Sequence, residues 1–147
     1  MKQFPMALRF ESDQINQVSL IRVEGRLTNE SLAELYETTQ QYSNETRARF
    51  GIVDLTSVGE IVVSTDLIRQ LARRKPVAGD RRRDCFIIAL EGHVFGLCRM
   101  FQILAEGARP LLRIVHSIDE AIAEISLLDA PLNLQPSARG EYLMHLG

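Results

Sequence analysis

"VDLTSVGEIVVSTDLIRQLARR", Val53 to Arg74, changes its period in mid-course. The run that leads into it, "FGIVDL" from Phe50 to Leu55, is apolar and β-branched with polar residues on both sides, as a central strand covered on two faces should be. Further on, Leu67, Ile68 and Leu71 recur at helical spacing. Ser64 stands where that helix needs an N-cap, and Asp66 in its first turn favours the helix dipole. Arg73, Arg74 and Lys75 lie at its end, and Pro76 stops it. Between strand and helix the sequence predicts a short loop holding Ser57, Ser64 and Thr65. A strand, a loop and an amphipathic helix in that order form the repeating unit of a parallel sheet.

The alternation extends in both directions. Residues 6–11 and 18–24 are strand candidates, joined through the polar "SDQINQ", Ser12 to Gln17, as a hairpin. "GRLTNE" breaks the pattern, Thr28 or Asn29 can cap a helix, and Leu32, Leu35, Tyr36 and Thr39 carry that helix to about Tyr42. "SNETRAR" reads as a polar connector. "CFIIAL", Cys85 to Leu90, is a strand ended by Glu91-Gly92. A third helix is expected from about His93 to Glu106, with Gly107 as its C-cap. "LLRIVH", Leu111 to His116, is another strand, and "SIDE", Ser117 to Glu120, opens a helix through Ile125. The order ββαβαβαβα predicts an α/β fold: a mixed, mostly parallel sheet of four or five strands with about four helices, the first strand antiparallel to the second. Residues 1–126 make one domain. Residues 127–147, with two prolines and no period, make a C-terminal tail.

Composition narrows the function. A chain of 147 residues suits one domain, and 46% hydrophobic with 24% charged residues is ordinary globular usage. A net charge of −2 lacks the basic excess of a dedicated nucleic-acid binder, so nucleic acid is not an expected partner. Cys85 and Cys98 sit among apolar residues and read as small core residues of a reducing compartment. "MKQFPMALRF" has no apolar segment of signal-peptide length, and no run approaches the roughly 18 residues that span a bilayer. A cytoplasmic chain is expected.

Four groups of residues are candidates for function. Asp54 at the strand end reads first as a carboxylate capping the adjacent loop, and Ser64 and Thr65 first as helix caps. With Ser57 they also make a candidate phosphate or ligand loop, because free N–H groups and the dipole at a helix N-terminus stabilise an anion. Arg69, Arg73, Arg74, Lys75, Arg81, Arg82 and Arg83 concentrate cations in a short span offset only by Asp80. They read as a solvated helix end, or as a docking patch for an acidic partner, RNA or an anionic membrane surface. No aromatic residue interleaves them, so base stacking is not signalled. In the third helix Val94, Leu97, Cys98, Phe101, Leu104 and Ala105 form one apolar stripe. Phe95, Met100 and Ile103 lie off its centre beside Arg99 and Gln102. Core packing within the chain is the first reading of these residues; otherwise Phe95, Arg99, Met100 and Ile103 are a candidate interface, with a second copy of the chain, a ligand or the tail as its occupant. His93, His116 and His145 have no metal-ligand spacing, and there is no Gly-rich phosphate loop, GxSxG or HExxH. No metal, cofactor or reaction is indicated, and a non-enzyme is expected.

Three of these stretches carry a resemblance. "VDLTSVGEIVVSTDLIRQL" resembles the central "DLSxVxxIDSSGL" region of the STAS-like, SpoIIAA-like superfamily, which includes anti-sigma factor antagonists and many small bacterial proteins of unassigned role. "HVFGLCRMFQILAEG" is similar to the "FGLARMFEALAEG" helix of that unassigned branch, and "LLRIVHSIDEAIAEI" to its closing "VRVFRDLDEALAWL". The likeness spans residues 18 to 126. It implies a STAS-like fold and a non-enzymatic interaction or regulatory module, and the off-centre apolar residues of the third helix make a homodimer the expected form. In the antagonist branch the serine opening the second helix is a kinase target. Ser64 best matches it, although the family's "DSSGL" reads "VVSTDL" here. Related lipid-transfer proteins resemble the same topology. They imply an alternative, a small-molecule or lipid carrier with an apolar groove walled by Phe95, Met100, Ile103 and the tail.

Overall fold

Two strands, β1 (Ala7–Asp13) and β2 (Val18–Thr28), form an antiparallel hairpin at one edge of the sheet. Its turn is held by Asp13, whose carboxylate accepts the backbone N–H of Asn16 at 2.9 Å and the Asn16 side-chain amide at 2.6 Å. Gln17 turns the chain through a left-handed φ of 58°. The strands β3 (Phe50–Val62), β4 (Asp84–Ile88) and β5 (Leu112–Val115) then add in parallel, so the spatial order is β1-β2-β3-β4-β5. The helices α1 (Asn29–Thr46), α2 (Thr65–Arg73) and α3 (His93–Leu104) make the three crossovers, and α4 (Ile118–Leu128) follows β5. The structure is a computed structural model that describes residues 5–75 and 83–128. Among them, no helix is long and apolar enough to cross a membrane. The α/β class, the mixed sheet and the antiparallel first pair are as the sequence predicts.

The period of two divides every strand between two faces. Val18, Leu20, Phe50, Ile52, Phe86, Ile88 and Val115 face α4 and pack on its Ala121, Ile122 and Ile125. Ile21, Val23, Val53, Leu55 and Ile87 face the other way and meet Leu35 of α1 with Phe95 and Cys98 of α3. α2 lies against α3 and α1 on that side, burying Ile68, Leu71 and Ala72. Among the described residues, one face thus carries three helices and the other α4. Towards the β1 edge and the later part of β2, the α4 face turns charged: Arg9 pairs with Glu24 at 2.8 Å, and Arg22 with Glu11 at 3.1 Å and with Asp54 of β3 at 3.5 Å.

Several boundaries differ from expectation. β2 and β3 run on to Thr28 and Val62, because they pair with each other beyond the reach of β1 and β4. "GRLTNE" therefore begins inside a strand. α1 continues past Tyr42 to Thr46; its last turn is polar, but a solvent-facing turn needs no apolar residue, and Thr46 Oγ1 donates to the Tyr42 carbonyl at 2.9 Å. α3 ends at Leu104 with Ala105, not Gly107, as its C-cap. α4 runs to Leu128, so a domain boundary after residue 126 falls inside a helix. The rest of the tail, residues 129–147, and residues 76–82 lie outside the described residues.

Candidate functional site

The junction of β3 and α2 is built by caps. The Ser64 hydroxyl accepts the Leu67 N–H at 3.2 Å, as an N-cap should, and the Ser64 N–H donates to Asn29 Oδ1 at 2.8 Å. That bond ties the junction to the start of α1, where Thr28 and Ser31 form a capping box. Ser64, Thr65 and Asp66 are exposed. Val62 at the end of β3 is 51% exposed, and Leu90, just past β4, is 55% exposed. The carboxyl ends of these strands thus present two hydroxyls, a carboxylate and two apolar side chains to solvent. In an open α/β sheet this is the end where ligands and partners bind.

Asp54 and Ser57 do not join that surface. Asp54 lies inside β3, buried, and its Oδ1 accepts both the N–H of Thr56 at 2.9 Å and the Thr56 hydroxyl at 2.7 Å. Between the pairs Asp54–Arg22 and Ser57–Glu24, β3 carries one residue more than β2. The carboxylate therefore holds a β-bulge rather than a loop. Ser57 is a strand residue, exposed and opposite Glu24. Ser57 was expected in the loop because the strand was read as ending at Leu55, whereas β3 runs on to Val62.

The basic run is also divided. Arg69 pairs with Asp66 at 3.4 Å, and Arg74 pairs with Glu37 and lies 4.8 Å over the Tyr36 ring. Arg73 and Lys75 are exposed. Arg83 is half-buried and donates to the Ser43 hydroxyl of α1, away from a solvent-facing patch. Arg81 and Arg82 lie outside the described residues.

On α3, Phe95 turns inward. It packs in the three-helix core and stacks on His116 with ring centroids 5.1 Å apart. His116 in turn bonds Glu91 at 2.7 Å. Phe95 thus packs within its own chain, as its core-packing reading expects. Arg99 donates to Gln102 at 2.7 Å, Met100 is half-buried and Ile103 is 61% exposed. Leu104, expected in the buried stripe, is 46% exposed because it is the helix's last residue.

A cavity of about 180 Å³ lies between α1, α2, α3 and the sheet. It is a partly open space rather than a sealed void. Phe95, Met100 and Ile103 form no part of its wall, so the groove expected beside α3 is replaced by one beneath it. Three small residues in register, Ser19, Gly51 and Cys85, lie side by side on β2, β3 and β4 and line it at the amino ends of the strands. Beyond them the wall is apolar: Leu35, Val53, Leu55 and Ile68. At the small-residue end, Arg83, Arg109, Ser43 and Tyr36 line it. Arg109 donates to the Tyr36 hydroxyl and lies 5.4 Å from its ring centroid. Cys98 also lines the cavity, and burial pushes its thiol up to about 12, so it stays a neutral thiol. The one sequence signal of this space was Gly51 in an otherwise branched strand, a position that often marks close approach of a ligand. Among the described residues, no group of His, Cys, Asp and Glu is arranged to hold a metal.

No family model matches the chain, and no curated protein matches it. Among solved structures it is similar to the crystal structure of an anti-sigma factor antagonist from Mycobacterium paratuberculosis. The TM-score is 0.58 at 11% identity, over 82% of this chain and 94% of the other.

Proposed function

We propose that this chain, which has the SpoIIAA-like STAS fold, is a non-enzymatic regulatory module that binds a protein partner at the carboxyl ends of its parallel strands. The observation that carries this reading is the exposure of Val62 and Leu90 at the sheet end that also presents Ser64, Thr65 and Asp66. Apolar side chains rimmed by polar ones are the composition of a contact surface. The structural similarity to a regulatory protein supports the same class. A photo-crosslinking residue placed at Val62 or Leu90, in cells that express the chain, tests it. One protein captured from both positions, and not from Ile15 in the β1–β2 turn, is the expected result. Equal capture at all three positions sinks the reading.

Ser64 supports a second reading, regulation by phosphorylation. Its hydroxyl is exposed at the first turn of α2, where a phosphate would meet helix N–H groups and the positive end of the dipole. Mass spectrometry of the native protein across growth states decides it: phosphate on Ser64 supports the switch, and an unmodified Ser64 throughout removes it.

A further inference from the structure

We infer that the cavity beneath α1, α2 and α3 is a binding site for a straight-chain carboxylate, its tail against the apolar wall and its head at the Arg83–Arg109 end. The inference is independent of the partner surface, which lies at the opposite ends of the strands.

Size sets the tail. A dry apolar cavity of about 150 Å³ accommodates benzene, so 180 Å³ takes a chain of roughly six to eight carbons. The wall sets its chemistry: Leu35, Val53, Leu55 and Ile68 offer no hydrogen bond, so that end favours hydrocarbon. The other end sets the head. Two guanidinium groups line it, and no Asp or Glu among the described residues does. Both are positioned from α1, Arg83 by Ser43 and Arg109 by Tyr36. Guanidinium groups suit a carboxylate because their N–H donors match its two oxygens. The floor gives the space its shape. A Cβ built on Gly51 would lie 3.6 Å from Ser19 Oγ and 3.9 Å from Cys85 Sγ, ordinary contact distances. Nothing steric in the strand therefore requires glycine there, and what a larger residue would take is the volume above it.

The test is a titration of the full chain with octanoate, and separately with octanol, followed by NMR of backbone and methyl groups. Saturable shifts centred on Ser19, Gly51, Cys85 and Leu35 are expected, with octanol weaker by about tenfold, the worth of one charge-assisted hydrogen bond. Gly51→Val should fold, since its Cβ fits and valine favours strands, and should lose octanoate binding. Arg109→Gln should bring octanoate down to the affinity of octanol; if that variant does not fold, Arg83→Gln gives the same reading. Absence of saturable octanoate shifts overturns the site. So do shifts that survive unchanged in folded Gly51→Val. Octanol binding as tightly as octanoate overturns the assignment of the head group, and needs no variant.

Discussion

Asp54 occupies a position where an unsatisfied carboxylate would be costly, inside a sheet strand and out of solvent. Thr56 satisfies it twice and Arg22 supplies the opposite charge. Asp54→Ala should lower the unfolding free energy by about 2 kcal/mol, measured by urea denaturation, because the bulge loses its anchor and Arg22 one of its partners. A loss under a few tenths would show that the bulge holds itself. The sequence showed a carboxylate bonded to the backbone just beyond it, and that local pairing is present; that the segment is strand depends on β2. Cys98 gives a second residue-scale prediction. Burial raises its thiol from an ordinary 9.0 to about 12, so the folded chain holds that proton more tightly than the unfolded one. Its contribution is therefore full below pH 9 and is lost as pH rises towards 12, by about 1.4 kcal/mol per pH unit. Chemical denaturation across that range should show a steeper fall for the wild type than for Cys98→Ala. Parallel curves would mean that the thiol is reached by solvent.

At the scale of elements, the helix starts were readable and the ends were not. Thr28 and Ser64 cap α1 and α2 through contacts three residues away, a distance that sequence displays directly. Ser64→Ala should cost about 1 kcal/mol by thermal or urea unfolding, with the helix still formed. No change would imply that the Asn29 contact alone holds the junction. Gly92 is a stronger case. It opens α3 at φ 113°, where a side chain is strained, and no side-chain cap assists it. Gly92→Ala should cost about 1–3 kcal/mol by urea unfolding, and a loss under a few tenths would show that the backbone there relaxes out of the left-handed region. The ends moved because they were judged by loss of apolar period, whereas α1 closes on a polar turn and β2 and β3 continue by pairing with each other.

In the whole molecule the two faces are unequal. Among the described residues α4 is the helix that covers one of them, and its Ala121, Ile122 and Ile125 are fully buried against Phe50, Ile52, Phe86 and Ile88. Ile122→Ala should cost about 2–5 kcal/mol, measured by urea unfolding, since Ile122 is fully buried and its removal leaves a cavity in the core under α4. A loss under about 1 kcal/mol would mean that α4 shifts to close the gap. Fold class, element order and helix caps were legible in the sequence, because period and capping act over a few residues. Only the tertiary structure decided that Ser57 lies in a strand, that Phe95 packs on its own chain, that Arg83 leaves the basic run, and that Ser19, Gly51 and Cys85 meet beneath the helices. Those outcomes depend on strand register and on which helix lies over which strand, and contacts between residues distant in the chain set both.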